Sequence, residues 1–237
     1  MEDLLPDAEA PWAIAAFQRP EPFPLQKNWL LARLSLPAPE VKLELEARGF
    51  TFLRSEAVSH RTANLTAAAA FIEAAPSLAL AVRTHVRGIS LLAADEAYDV
   101  THSEPRWADW IFVSCPAVTD EVAALRTAEN VVHEAMHLQL TKVEGQMNLV
   151  CDEGAFLDSP WKQEPRPLQG VLHGLYVFAC IRGFFQKLDP VAISVEGSEY
   201  LDQRKREIDT EFELVDLRKL QSGLTADGRK FSARILL

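Results

Sequence analysis

The feature that most constrains this chain is an H-E-x-x-H motif, which begins at His133 and ends at His137 within a long helical pattern. Residues four apart on an α-helix share a face, one turn above the other, so the two imidazoles can bind one divalent metal ion. Glu134 is rotated about 100° around the helix from His133, which suits acid–base or supporting work better than coordination. The motif therefore predicts a metal site on a helix, with Glu134 as its catalytic carboxylate.

The motif helix carries a polar stripe on an otherwise apolar surface. At about 100° per residue, the stripe contains Arg126, Glu129, Asn130, His133, His137 and Glu144. The run Thr119-Asp120-Glu121 predicts the start of the helix, with a capping side chain and an acidic first turn, and Gly145 predicts its end after about Glu144. A stripe of this kind faces either water or a buried polar site, and the apolar pair Val131 and Val132 favours burial.

The rest of the sequence predicts a mainly α fold of the α+β type, a helical domain with a small β-sheet and a metal site between two core helices. Further helices are predicted over residues 40–48, 62–75, 169–188 and 198–220. Residues 110–114 predict a buried strand; residues 77–94 leave helix and strand open, with a strand favoured at 88–92. We expect a helical N-terminal part (1–98) and a metal-binding catalytic part (99–237), joined in one continuous compact domain.

The composition limits the binding partners and the location expected for this chain. The net charge of −10 argues against nucleic acid and anionic membranes, which both require clustered positive charge. No run approaches the ~18–20 apolar residues of a membrane span, and the acidic N-terminus does not resemble a signal peptide. Three cysteines without C-x-x-C spacing indicate neither a disulfide framework nor a zinc ribbon, so a cytoplasmic location is expected.

The third metal ligand is open at this level. One class of zinc peptidase uses a third histidine shortly after the motif, and no histidine follows here at that spacing. Glu144 shares the stripe but lies about 10 Å beyond His137 along the axis, at ~1.5 Å per residue, which is too far for the same ion. His173, in an apolar helix, is the preferred candidate, and Asp152 and Glu153 are the others. A hydrogen bond to a carbonyl is the alternative role for His173.

Several short strings between residues 99 and 190 carry a resemblance to a known family. They are T-H-S-E-P at 101–105, W-I-F-V-S at 110–114, L-R-T-A-E at 125–129, V-H-E-A-M-H-L-Q-L at 132–140, S-P-W-K at 159–162, R-P at 166–167 and G-V-L-H-G-L-Y-V-F at 170–178. In these strings the chain resembles the H-E-x-x-H-motif proteins of peptide natural-product clusters, the family described as 2-oxoglutarate-dependent peptide β-hydroxylases. Residues 1–98 carry none of the resemblance.

The resemblance implies a non-haem Fe(II) oxygenase that hydroxylates a ribosomally made precursor peptide, with 2-oxoglutarate and O₂ as cosubstrates. His133, His137 and His173 would hold the iron and leave three positions for a bidentate 2-oxo acid and O₂. Three histidines depart from the usual two-histidine, one-carboxylate set and also suit Zn(II). The N-terminal residues 1–98 would then form a possible peptide-recognition region.

A fixed cation would bind the distal carboxylate of 2-oxoglutarate, because guanidinium groups grip carboxylates with two hydrogen bonds. Arg166 is the first candidate, followed by Lys162 and Arg182; the last lies nine residues after His173 and is expected on a similar face. Trp161 and Tyr176 are expected to line the pocket.

Two other functions fit the same motif. A cytosolic zinc metallopeptidase would use Glu134 as the general base on a metal-bound water. A non-catalytic peptide-binding module would need no metal, and its polar stripe would be structural.

Overall fold

A computed structural model describes residues 28–151, 154–188 and 192–236. The helices are α1 (Pro39–Ala47), α2 (Ser55–Ser59), α3 (Thr62–Glu73), α4 (Pro76–His85), α5 (Glu121–Glu144), α6 (Leu168–Leu188), α7 (Val195–Glu213), α8 (Leu217–Ser222) and α9 (Ala226–Ile235). The strands are β1 (Gly88–Leu92), β2 (Thr101–His102), β3 (Trp110–Ser114), β4 (Phe156–Ser159) and β5 (Glu164–Pro167). The prediction of a mainly α fold with a small sheet is confirmed.

The larger sheet has the order β1-β3-β2, with β1 parallel and β2 antiparallel to β3. All five residues of β1 are buried, as expected for a strand covered on both faces. Strand β2 forms one edge of this sheet. The smaller sheet is the antiparallel hairpin β4–β5, which precedes α6 directly.

Helix α5 has the predicted bounds. The carboxylate of Asp120 accepts the amide of Ala123 at 2.7 Å, and Gly145 follows the last helical residue. Helix α5 contacts β3, α3, α4, α6 and α7. The motif is therefore carried by the central helix of the core, which fixes its position more firmly than a surface helix would.

Helix α6 is apolar enough to raise the question of a membrane span. Its most apolar window has a mean hydropathy of 1.3, and 61% of that window is buried inside the protein. The prediction that no run approaches a membrane span is therefore wrong by length and composition. A core helix packed between α5, α7 and α9 meets the same criteria, because it too is surrounded by apolar side chains.

The larger of two hydrophobic clusters in the described residues extends from Trp29 to Ile235, and the smaller one contains Leu45, Phe52, Leu92 and Phe112. The larger cluster crosses the boundary expected near residue 98, and β1 from the N-terminal part pairs with β3 from the C-terminal part. The N-terminal and C-terminal parts therefore contribute residues to the same hydrophobic cluster. Residues 1–27 of the predicted N-terminal part (1–98) lie outside the described residues.

Some elements differ from the predicted ones. The helix predicted over 198–220 is divided, because α7 ends at Glu213 and the side chain of Asp216 caps a new helix, α8. The helix predicted over 62–75 ends at Glu73, and Pro76 begins α4, where its missing N–H has no helical partner to lose. The hairpin β4–β5 and helix α9 were not predicted.

Candidate metal site

A cleft of about 800 Å³ opens between β2, α5, the β4–β5 hairpin and α6. Four of the six histidines of the chain line it, and they are His102, His133, His137 and His173. The predicted metal ligands His133, His137 and His173 are therefore brought together in one cavity. The packing of α6 beside α5 is what joins them, because His173 is 36 residues from His137 along the chain.

His137 and His173 form the closest pair. Their Nδ1 atoms are 3.2 Å apart, and their rings are stacked with centroids 5.5 Å apart. Burial, and then the neighbouring His133 and His173, lower the pKa of His137 well below its usual range. A neutral imidazole keeps the lone pair that a metal ion requires.

The spacing of this pair fits two ligands of one metal ion. Nitrogen atoms about 2.1 Å from an ion and 90–110° apart around it are separated by roughly 3.0–3.4 Å, and the two Nδ1 atoms are 3.2 Å apart. Within residues 28–151, 154–188 and 192–236, no three histidine, cysteine or carboxylate side chains stand at the spacing of one ion. Asp152 and Glu153, the other candidate ligands, lie outside the described residues.

His133 completes the histidine group of the cleft. Its ring centroid is 4.9 Å from that of His137 and 5.4 Å from that of Phe178. Burial, followed by the charges of Lys162 and Arg204, lowers the pKa of His133 to about 4. His133 is therefore neutral at physiological pH, like His137, and lies one helical turn before it as the motif predicts.

Glu134 is buried beside the histidines. Its carboxylate accepts a hydrogen bond from Ser103 Oγ at 2.5 Å, and its Oε1 lies 3.9 Å from His133 Nε2. Burial raises the pKa of Glu134 to about 7, although hydrogen bonds from Ser103 and Thr101 act in the opposite direction. A carboxyl group with this pKa can both accept and release a proton near neutral pH, which agrees with the predicted acid–base role.

Glu144 belongs to the site, although the sequence excluded it as a ligand. Its Oε2 lies 2.8 Å from His173 Nε2 and also accepts the amide of Gln169 at 3.0 Å. Its contact is with His173 on the neighbouring helix, which the position of Glu144 along α5 does not reveal. The alternative role of His173, a hydrogen bond to a carbonyl, is wrong: its partners are a carboxylate and an imidazole.

The three cationic side chains predicted to bind the cosubstrate differ in position. Arg166 and Lys162 both line the cleft, and Arg166 pairs with Glu164 at 3.0 Å. Arg182 does not line it and pairs with Asp209 on α7 at 2.7 Å. Nine residues at about 100° each amount to about two and a half turns of helix. Arg182 therefore lies on the side of α6 opposite to His173. The expectation of a similar face was wrong.

The two aromatic residues predicted to line the pocket also differ in position. Trp161 lines the cleft and stacks on Phe178, with ring centroids 5.3 Å apart and an angle of 13° between the planes. Tyr176 is buried in the core and does not line the cleft; its hydroxyl donates to Gln139 Oε1 at 2.6 Å. The prediction for Tyr176 was wrong because the buried Gln139 gives its hydroxyl a partner inside the protein.

Sequence reasoning missed the β2 wall of the cleft. His102 Nε2 lies 3.0 Å from Glu104 Oε1, and Arg48 and Arg106 also bind the Glu104 carboxylate. Ser103, next to His102, supplies the hydrogen bond to Glu134. A two-residue strand has no periodicity that could mark these residues, and only the string T-H-S-E-P at 101–105 pointed to them.

Comparison with models of known protein families found no match for this chain. Comparison with curated proteins also found none.

Proposed function

We propose that the protein is an Fe(II)- and 2-oxoglutarate-dependent hydroxylase, which adds a β-hydroxyl group to a residue of a ribosomally made precursor peptide. The observation that carries the proposal is the cleft itself, which combines His133, His137 and His173 with two cationic side chains of the hairpin. The family resemblance of residues 99–190 supports the same reaction. Three free cysteines support a cytoplasmic location, where disulfides are rare.

His133, His137 and His173 would hold the iron, and the spacing of His137 and His173 supports this assignment. Bound Fe(II) with 2-oxoglutarate and O₂ supplies the chemistry: one oxygen atom enters a C–H bond of the peptide and the other enters succinate, with loss of CO₂. The protein contributes neutral ligands, because burial disfavours protonation of His133 and His137. Glu134 can hold or move a proton at its carboxylate beside His133.

Lys162 is the better supported anchor for the distal carboxylate of 2-oxoglutarate. Its ammonium group forms no ion pair within the described ranges of the chain, whereas Arg166 is shared with Glu164. The charge of Lys162 also acts on His133, Glu134 and His137. A cation without a carboxylate partner can bind a carboxylate ligand without first giving up an existing pair.

The dimensions of the cleft suit a cosubstrate together with part of a peptide. Pockets for small molecules and cofactors measure about 300–1,000 Å³, and this one measures about 800 Å³. Its lining residues lie between Thr101 and Phe178. Peptide recognition by residues 28–98 would take place beyond the walls of the cleft, because none of these residues lines it.

The test is anaerobic reconstitution with Fe(II) and 2-oxoglutarate, followed by visible absorption spectroscopy. We expect the charge-transfer band of a 2-oxo acid chelated to ferrous iron, and its loss in His173→Ala. Lys162→Ala should raise the 2-oxoglutarate concentration at which the charge-transfer band reaches half of its maximum intensity. Arg182→Ala is the matched control, because its side chain lies outside the cleft. Absence of the band from the wild-type protein would overturn the proposal.

A zinc metallopeptidase is the second candidate, favoured by the position of Glu134 beside the histidine pair. It predicts stoichiometric zinc and cleavage of an unfolded test protein such as casein, lost in Glu134→Gln. The hydroxylase instead predicts a peptide product that is heavier by one oxygen atom, with succinate released. The mass of the peptide product distinguishes the two reactions directly.

A further inference from the structure

We infer that Glu144 is a positioning residue that fixes the tautomer and the orientation of His173, so that the lone pair of His173 Nδ1 faces His137. The inference rests on the metal site of the proposed function, because the lone pair is useful only if an ion binds there. It assigns a role to a carboxylate that the ligand set does not use.

The hydrogen bonds of His173 carry the argument. A neutral imidazole has one N–H and one lone pair, and the partner of one nitrogen determines which atom carries the proton. Glu144 Oε2 lies 2.8 Å from His173 Nε2, and an ionised carboxylate only accepts. In the neutral ring this contact favours the proton on Nε2 and leaves Nδ1, which is 3.2 Å from His137 Nδ1, free to accept.

Glu144 is itself held in place. Gln169 Nε2 donates to the same oxygen at 3.0 Å, and Gln169 lies one helical turn before His173 on α6. In the part of the chain that the structure describes, the Glu144 carboxylate contacts His173, and no lysine or arginine lies within ion-pair distance of it. Its side chain is only 15% exposed, so its negative charge is directed at the imidazole and is weakly screened by water.

The arrangement has a defined consequence for metal binding. A carboxylate on the outer nitrogen of a ligand histidine fixes the ring and raises its basicity, and its loss typically weakens metal affinity about 10–100-fold. Without Glu144, His173 could place its proton on Nδ1, where it would block coordination. Glu144 would then influence the metal without touching it.

The experiment uses the full chain labelled with ¹⁵N-histidine and the variant Glu144→Ala. In the metal-free protein, two-bond nitrogen–proton correlation spectra should give the Nε2–H tautomer for His173, and Glu144→Ala should lose that preference. Titration with Co(II), followed by its visible absorption, should show a dissociation constant raised about 10–100-fold in Glu144→Ala. Arg182→Ala is the control and should leave the dissociation constant unchanged, because Arg182 does not line the cleft and pairs with Asp209.

Glu144→Gln keeps an oxygen acceptor of the same shape and should recover part of the lost Co(II) affinity. If Glu144→Ala does not fold, Glu144→Gln takes its place in the comparison. An unchanged His173 tautomer together with unchanged Co(II) affinity in Glu144→Ala would overturn the inference. If the wild-type protein binds no Co(II), the metal site of the proposed function fails. In that case the tautomer spectra still decide whether Glu144 positions His173.

Discussion

Two histidines of the cleft share one chemical arrangement at the level of single residues. His102 and His173 each have a carboxylate at Nε2, from Glu104 and Glu144 respectively. The two pairs belong to different walls, because His102 is in β2 and His173 is in α6. In each pair the carboxylate favours the proton on Nε2 in the neutral ring, so Nδ1 is the nitrogen left free to accept.

Gly174 is required by the aromatic wall beside His173. A Cβ at this position would lie 2.5 Å from Trp161 Cε3, so the indole would have to leave its place on Phe178. We expect Gly174→Ala to lower the free energy of unfolding by about 1–3 kcal/mol, as overpacked sites do. Urea unfolding followed by circular dichroism measures this loss, and the tryptophan emission of the native protein reports the displaced indole.

Gly170 provides the matched control for that prediction. The nearest atom to a Cβ at Gly170 is Arg166 Cβ at 3.9 Å, which is an ordinary contact. Gly170→Ala should therefore be neutral or stabilising by up to about 1 kcal/mol, because alanine is the better helix former. Equal destabilisation by the two variants would mean that space for Trp161 is not the reason for glycine at position 174.

The sequence identified some residues of the cleft because their signals are local. The spacing of His133 and His137 on one helix is such a signal, and an isolated histidine in an apolar helix marked His173. The contact of Glu144 with His173 was not predicted, because its partner lies on another helix and the contact depends on how α5 and α6 pack. Arg182 was assigned to the wrong face by an error in the helical angle rather than for lack of information.

At the level of elements, the polar stripe of α5 serves different partners along its length. Near the N-terminus, Arg126 and Asn130 bind the carboxylate of Asp99, each at 3.0 Å. Glu129 turns to α7, where it binds Arg204. The histidines and Glu144 face the cleft. The stripe was predicted from periodicity, but its division into a structural part and a chemical part depends on the neighbouring elements.

The contact between Glu129 and Arg204 joins α5 to α7. Arg204 Nη2 lies 2.8 Å from Glu129 Oε1, the Tyr200 hydroxyl donates to the same carboxylate, and Glu129 is only 8% exposed. Arg204→Ala should cost about 3 kcal/mol of unfolding free energy, because it leaves a buried carboxylate without its cation. Urea unfolding at neutral pH measures the loss.

Lys230 offers a comparison for this prediction. It pairs with Asp227 at 3.4 Å on the surface of α9, and its side chain is 79% exposed. Lys230→Ala should change stability by less than about 1 kcal/mol. The double variant Glu129→Gln/Arg204→Met should recover much of the loss, since no buried charge is then left unpaired. Similar values for Arg204→Ala and Lys230→Ala would contradict a buried ion pair.

Elements with strong periodicity were predicted well, and irregular ones were not. Helix α5 has its predicted bounds because Asp120 and Gly145 act locally at its ends. Strand β5 was hidden because prolines occupy two of its four residues, Pro165 and Pro167, and a proline-rich strand is found only at a sheet edge. Its place in the hairpin is given by pairing with β4, which no local signal encodes.

At the scale of the whole molecule, different parts of the chain contribute to the core and to the cleft. Residues 28–98 supply α3, α4 and β1, which pack against α5 and β3. The cleft is lined from Thr101 to Phe178. The N-terminal part therefore supports the helix that carries the motif. A ligand bound in the cleft should for this reason stabilise the whole domain, because its binding groups stand on elements that share one core.

This linkage gives the prediction for the whole molecule. A ligand present at 100 times its dissociation constant adds about 2.7 kcal/mol to the stability of the state that binds it. In a chain of 237 residues this corresponds to a rise in Tm of about 5–11 °C, at roughly 2–4 °C per kcal/mol. We expect Co(II), added to the metal-free protein, to produce such a rise in thermal unfolding followed by circular dichroism, and a chelator to reverse it.

His137→Ala should abolish most of this rise, because it removes one of the two nitrogen atoms at ligand spacing. His60→Ala is the control, since His60 is exposed and outside the cleft, and it should keep the full rise. The quantity compared is the change in Tm with metal for each variant, so a lower starting stability of His137→Ala does not affect the result. A peptide-binding module with a purely structural stripe predicts no change in any of the three proteins. A rise of equal size in His137→Ala and His60→Ala would locate the metal elsewhere on the chain, and both the hydroxylase and the peptidase would then lose their centre.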